Sequence, residues 1–235
     1  MSNIFTIQTP EIYESIYSNK SYELESIILL SHLIKFKEPK WKILEIGAGS
    51  GQLYSLINKY CKEYTAVEPS ELMFNKFQKK FFKDKNNNKN LEIIPKTFQD
   101  FIDSCKELNH EIIIANFNVF NYLSWDELKD YFLKIKNKSQ GNLIVAFDTW
   151  SLDYVRLKPK KQTSSIKFKT KGKKNNIILM ERVANSIFNE KNDSIQIKFE
   201  FFQRGDQNKL VGIENHVIYP LSLNSCIKEI NEFSK

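Results

Sequence analysis

Between residues 42 and 147 short apolar runs alternate five times with segments of helical periodicity, and few folds accommodate that order. The runs 42–46, 64–68, 91–94, 112–116 and 143–147 are apolar along most of their length, as strands covered on both faces are. Segments 52–60, 70–82, 98–104 and 125–135 between them read as helices, so the chain is expected to build a doubly wound α/β parallel sheet. Ahead of this pattern, Ile12, Ile16 and Tyr17, then Leu24, Ile27 and Ile28, recur at helical spacing and predict two helices within 10–36. The polar run 84–90 reads as a loop.

After Asp148 the period changes from helical to two. Segments 166–170, 177–188, 194–203 and 210–219 alternate between turn-like stretches, which predicts an antiparallel β insertion after strand five. A helix over 222–233, with Ser222 as its cap, follows. The expected organisation is a core over 1–150, the insertion over 151–220 and a helix over 221–235 that returns to the core.

With 235 residues, 41% of them apolar, the chain can bury a full core. No apolar run reaches the roughly 20 residues of a membrane helix, and residues 1–17 lack the pattern of a secretory signal, so a cytoplasmic protein without membrane contact is expected. Cys61, Cys105 and Cys226 form no CxxC pair, and with three scattered histidines they indicate neither a disulfide framework nor a metal site. The net charge of +7 is local. Nine basic residues and no acid lie in 156–174, and without them 26 basic residues face 28 acidic ones.

The chemistry concentrates where the first strand meets Glu45-Ile46-Gly47-Ala48-Gly49-Ser50-Gly51. Glycines let the backbone turn tightly and let a ligand lie against it, and the helix that follows offers free N–H groups. A dinucleotide site calls for glycine three positions after Gly49, where this chain has Gln52. Glu45 would repel a pyrophosphate and suits the ammonium of a methionine moiety. The second strand ends in Val67-Glu68-Pro69, where an acid can accept both hydroxyl protons of a ribose. Two acids at consecutive strand tips, with a glycine turn between them, match the two polar ends of S-adenosylmethionine. The competing reading is an ordinary tight turn beside a surface glutamate.

Residues 41–70 resemble the first two motifs of the class I S-adenosylmethionine-dependent methyltransferases, whose core is Rossmann-like. Ile12-Tyr13-Glu14-Ser15-Ile16-Tyr17, with Tyr22 and Glu25, resembles the YDxxY…KxYxxE opening of the branch holding glycine N-methyltransferases and nucleotide-linked amino-sugar N,N-dimethyltransferases. Asn116-Phe117-Asn118-Val119-Phe120-Asn121-Tyr122-Leu123 is similar to the segment that follows strand four in that branch. The resemblance implies that Tyr17 and Tyr22 close over the cofactor, that Asn116, Phe117 and Asn118 pass beside its sulfonium, and that the insertion covers the acceptor. It further implies cofactor contacts from Glu45, Gly47, Ala48, Gly49, Gly51, Glu68, Pro69, Met73, Thr97 and Phe98, with S-adenosylhomocysteine as product. Two departures stand out. Thr97 replaces the acid that usually accepts from adenine, which leaves the Phe98 backbone, Gln99 or apolar contact from Met73 for that base. The sequence also has no residues for the C-terminal hairpin of the family, so a five-stranded sheet with its fifth strand at an edge is expected. The insertion, a second copy in a homo-oligomer or another polypeptide could cover that edge.

An amine that binds neutral needs positioning more than acid–base help, whereas an oxygen nucleophile calls for a base. His216, Tyr13, Tyr17 and Glu181 are candidate bases, Asn118 is a positioning candidate, and Trp150 is placed to line the pocket. The expected acceptor is a small polar metabolite, first an amino group of a nucleotide-linked sugar, with the basic run holding its anionic part. A nucleic-acid methyltransferase is disfavoured because Asn116-Phe117-Asn118-Val119 is not an Asn-Pro-Pro-Tyr segment. A non-catalytic cofactor-binding subunit is the remaining alternative.

Overall fold

The computed structural model describes residues 10–82, 90–171, 176–205 and 208–233, with side chains to residue 228. Of the expected loop at 84–90 all but Asn90, the end of the basic run at 172–174 and residues 1–9 lie outside the described residues. The chain divides into two compact units. No described helix is long and apolar enough to cross a membrane.

The parallel unit comprises Ser21–Phe120 and Trp125–Thr149, together with Glu229–Lys235 as far as described. It opens with α2 (Tyr22–Phe36), preceded in the chain by α1 (Pro10–Ile16) of the other unit. Then β1 (Trp41–Ile46), α3 (Gln52–Ile57), β2 (Cys61–Val67), α4 (Glu71–Phe81), β3 (Leu91–Ile94), α5 (Phe98–Ser104), β4 (Ile112–Ala115), α6 (Trp125–Lys138) and β5 (Ile144–Phe147) alternate as the sequence predicts. The strands are parallel in the order β3-β2-β1-β4-β5. The order reverses between β1 and β4, so the carboxyl ends of these two strands flank the crevice where sheets of this kind take ligands. Ile112, Ile113, Ile114 and Ala115 are all 0% exposed, which explains why the run is apolar without alternation. Beneath α3 and α4, Trp41, Ile43, Tyr54, Tyr64 and Phe77 belong to one packed cluster.

Some boundaries move. β2 begins three residues before the expected strand, because Lys62 and Glu63 stay exposed where the sheet rim is solvated. The expected helix 52–60 ends as a 3-10 turn over Asn58–Tyr60, and α6 runs past residue 135 to Lys138.

The antiparallel unit comprises the described part of Met1–Lys20, with Asn121–Ser124 and Trp150–Lys228. Its strands β6 (Lys161–Lys171), β7 (Ile177–Asn189), β8 (Ser194–Gln203) and β9 (Lys209–Ile218) form a four-stranded sheet in sequence order. The helix α1, expected with the core, belongs here: Ile16 packs with Phe168, Met180 and Phe201 on one face of the sheet. A short helix α7 (Leu152–Arg156), capped by Ser151, precedes β6 and was not legible in the sequence. α8 (Leu223–Phe233) closes the chain, and the boundary between the units falls within it. Asn121, fully buried, fastens three segments: its side chain donates to the Tyr219 carbonyl at 2.6 Å and accepts from the Trp150 N–H at 3.0 Å, and its carbonyl accepts from the Tyr219 N–H at 2.7 Å.

β6 starts five residues before the expected strand, because its first half, Lys-Gln-Thr-Ser-Ser, is exposed on both sides at the sheet edge and shows no apolar alternation. This strand also corrects the placement of the basic run. Lys161, Lys167, Lys169 and Lys171 are exposed at odd positions of β6, while Phe168 and Thr170 are buried at even ones. The lysines therefore project from the face opposite the packed one, where they discourage edge-to-edge pairing. Arg156 forms two hydrogen bonds to Asp193, Lys160 pairs with Glu190 at 2.6 Å, and Lys158 lies 4.5 Å over the Tyr154 ring.

Candidate functional site

In the parallel unit the strand tips bring the motif residues together. Gly47 and Ala48 both donate to the Val67 carbonyl, at 2.8 and 3.2 Å, which ties the glycine loop to the end of β2. Glu68 then receives the Gly49 N–H on one carboxylate oxygen and the Ser70 N–H on the other, each at 2.8 Å. Each oxygen keeps a further lone pair, so the carboxylate can still accept from two adjacent hydroxyls. Glu68 is 6% exposed. Burial raises its carboxyl above the usual range, while the two backbone hydrogen bonds oppose that shift.

The loop glycines divide the labour. At Gly51, φ is +78° and an added Cβ would meet the Phe77 ring at 2.5 Å, so this position seats the loop on α4. At Gly49, φ is +57° and nothing lies within 4 Å of an added Cβ. That open space is where a ligand can lie against bare backbone.

Glu45 is buried below the loop and accepts the Tyr64 hydroxyl at 2.6 Å. Desolvation pushes its carboxyl up to about 8, the Tyr64 hydrogen bond works against this, and the charge of Glu68 adds to it. The acid expected as a ready anion is thus mainly protonated at neutral pH, and a cation beside it would draw the proton off.

After β4 the backbone is held in an unusual form. Phe117 and Asn118 have φ of +65° and +59° in succession, a conformation costing about 1–2 kcal/mol for each residue with a side chain. Asn118 donates its N–H to Asp148 at 2.6 Å, and the Phe117 ring packs 5.3 Å from Tyr22. Asp148, just past β5, holds the Asn118 backbone in this form and was passed over by sequence reasoning. Its only signal is an acid at a strand tip. Thr97 spends its hydroxyl locally, accepting from the Asp100 N–H at 3.1 Å and donating to the Asp100 carboxylate at 2.6 Å. The Phe98 ring is buried against Phe120 and Tyr131. Met73 is buried on α4 and Pro69 is exposed beside Glu68.

In the antiparallel unit a second group of polar side chains stands on the packed face of the sheet. His216, 4% exposed, contacts the Tyr122 hydroxyl through Nδ1 at 3.0 Å and Glu214 through Nε2 at 3.4 Å. A carboxylate only accepts, so Nε2 carries the proton toward Glu214 and Tyr122 donates to Nδ1. Burial, then the charges of Tyr17 and Glu214, push the Tyr122 phenol up. Tyr13 and Tyr17 pack at 4.7 Å, and Arg182 sits over the Tyr17 ring. Tyr122 was quoted in the sequence motif but given no role, since its contact with His216 spans 94 residues.

Glu181 is corrected. It lies on the opposite face of β7, buried and paired with Arg204, and is no partner of this group. Trp150 is 41% exposed and is not a core residue. The lysines of β6 also lie on the face away from His216, so they do not join it.

The family model for ribosomal RNA adenine dimethylase matches residues 11–120, a little under half of the chain. No curated protein matches the sequence. Among solved structures, an S-adenosylmethionine-dependent methyltransferase from Clostridium acetobutylicum is 18% identical with a TM-score of 0.70, covering 94% of this chain and 84% of that one. CalS10, an amino pentose methyltransferase from Micromonospora echinaspora, is 10% identical with a TM-score of 0.71, over 94% of this chain and 87% of its own. KedS8, a sugar N-methyltransferase from Streptoalloteichus, is 12% identical with a TM-score of 0.68, over 95% and 84%. The likeness is one of fold; in this chain it is a Rossmann-like parallel sheet with an antiparallel sheet after its fifth strand.

Proposed function

We propose that this chain, a methyltransferase of the S-adenosylmethionine-dependent fold, methylates an amino group of a small polar acceptor, first of all a nucleotide-linked amino sugar. The observation that carries the reading is the pair of buried acids, Glu45 and Glu68, on either side of a glycine loop that is open at Gly49. These residues fit S-adenosylmethionine: Glu68 would hold the ribose hydroxyls, Glu45 the α-ammonium, and the Gly49 backbone the chain between them. When bound, the cofactor supplies a methyl group activated by its sulfonium. The named functions of CalS10 and KedS8 favour an amino sugar as acceptor.

An amine arriving as an ammonium must lose a proton before its lone pair can form the new N–C bond as the C–S bond breaks. Within the antiparallel unit the Tyr122–His216–Glu214 chain can take a proton from an ammonium bound there: Tyr122 passes its own proton to Nδ1 of His216 and receives one from the ammonium, while Glu214 stabilises the resulting imidazolium. Tyr122→Phe is expected to lower kcat by about 10²-fold at pH 7. The loss should shrink as pH rises and free amine accumulates, with cofactor affinity unchanged. An equal kcat in the variant would remove the relay from the mechanism.

Glu45 makes cofactor binding depend on pH. In the folded chain its carboxyl titrates near 8 rather than at 4.5. Its contribution to stability is therefore full below 4.5 and is lost as pH rises toward 8. An ammonium beside it favours the ionised form, so binding at neutral pH expels a proton. Affinity should rise by up to about tenfold per pH unit between roughly pH 6 and 7.5. Calorimetry in buffers of different ionisation enthalpy reads this directly, and binding with no proton released at pH 7 would contradict the placement of Glu45.

The deciding experiment incubates the chain with methyl-labelled cofactor and either a panel of amines, including nucleotide-linked amino sugars, or ribosomal RNA. Label on an amine supports the proposal. Label on RNA alone would replace it with the nucleic-acid reading, and no transfer with intact cofactor binding would favour a binding subunit.

A further inference from the structure

Only three arginines occur in this lysine-rich chain, at positions 156, 182 and 204. Arg156 is paired with Asp193 and Arg204 with Glu181. Arg182 has no carboxylate within 4.0 Å among the described residues, although it stands on the packed face of the antiparallel sheet. Its guanidinium lies 4.7 Å from the Phe199 ring and 5.8 Å from the Tyr17 ring. One terminal nitrogen reaches the Tyr17 hydroxyl at 3.4 Å, and the buried Nε has no hydrogen-bond partner. Aromatic faces offset part of the cost of removing such a cation from water, but a buried guanidinium donor without an acceptor remains unfavourable.

We propose that Arg182 is the receptor for an oxyanion of the acceptor, a carboxylate or a phosphate, held by the guanidinium fork between Tyr17 and Phe199. The term acceptor rests on the methyltransferase reading, whereas the anion site itself does not. A planar fork with an unfilled Nε suits two-point recognition of such a group better than a lysine does. The location also fits. Phe199 contacts Arg182 on one side and His216 on the other, with 5.0 Å between the Phe199 and His216 ring centroids. A single phenyl ring therefore separates the anion receptor from the proton-accepting chain, and a molecule carrying both an anion and an amine would span them. The role expected of the basic run thus passes to one arginine, because the β6 lysines project from the other face.

The test titrates the whole chain, saturated with S-adenosylhomocysteine, with inorganic pyrophosphate, uridine diphosphate and glycine in separate calorimetric experiments. Wild type should bind at least one of these probes. Arg182→Gln should bind it at least tenfold more weakly, Arg182→Lys should fall between, and S-adenosylhomocysteine affinity should be the same in all three. Binding of the diphosphates but not glycine assigns a phosphate, and the reverse assigns a carboxylate. A Lys167→Gln, Lys169→Gln double variant on the outer face should match wild type. The proposal is overturned if no probe binds wild type, if Arg182→Gln binds as well as wild type, or if the lysine variant is the one that loses binding. Loss of S-adenosylhomocysteine affinity in the intact chain would instead count against the methyltransferase reading.

Discussion

Glu68→Ala is expected to weaken binding of S-adenosylmethionine or S-adenosylhomocysteine at least tenfold, which corresponds to about 1.4 kcal/mol. The carboxylate has two tasks. It holds the glycine loop through Gly49 and the start of α4 through Ser70, and each oxygen keeps a further lone pair for the ribose. Hydrogen bonds to a charged acceptor contribute about 1.5–3 kcal/mol each, so losing both ribose contacts would exceed tenfold even if the loop kept its shape. It would not keep it fully, since the Gly49 N–H loses its acceptor. Glu68→Gln separates the two tasks: one oxygen remains an acceptor, while the amide NH₂ faces either the Gly49 or the Ser70 donor. Its affinity should fall between wild type and Ala. Calorimetric affinities within twofold of wild type for Glu68→Ala would place the ribose elsewhere.

Gly51→Ala should destabilise the protein more than Gly49→Ala does. Both positions have positive φ, which costs a residue with Cβ about 1–2 kcal/mol. Only at Gly51 does the new methyl group also collide with a fully buried ring, Phe77, which Tyr54 and Phe81 hold in place at centroid distances of 6.0 and 5.3 Å. Overpacking of this kind adds about 1–3 kcal/mol. Together the two terms amount to roughly 2–5 kcal/mol, a fall in Tm on the order of 5–15 °C for a chain of this size. At Gly49 the new Cβ meets nothing, so the fold should lose less and any extra loss should appear in cofactor affinity. Thermal unfolding and calorimetry on both variants check this. Equal Tm losses would mean that Phe77 moves aside and the loop is not seated on it.

The parallel sheet and the glycine loop between two acids were legible because their signals are local. Ile112 to Ala115 is apolar without a break because both faces are covered, and the acid at 45, the glycines at 47, 49 and 51 and the acid at 68 fall within one βαβ unit. The chain's own period announces such a unit. The period-two alternation of 194–203 located β8 to the residue, while the first half of β6 escaped notice because an edge strand exposed on both sides has no apolar face.

Tertiary structure decided the rest, through strand register and burial. A shift of one residue turns every side chain to the other face of a sheet. The sequence alone therefore could not place Lys167 and Lys169 away from His216, Glu181 away from it, or Arg182 beside Phe199. The protonation of Glu45 follows from its burial, opposed by the hydrogen bond from Tyr64, 19 residues away, and local pattern encodes neither. Likewise the Tyr122 hydroxyl meets His216 only when β9 brings the two together across 94 residues. The sequence by itself determined which backbone units form and where the glycine loop and its two acids fall among them, since those follow from period and spacing. Which acids are charged, which described arginine has no carboxylate beside it and which side chains share a face are decided only when distant segments pack, because electrostatics and solvent exclusion act through space and not along the chain.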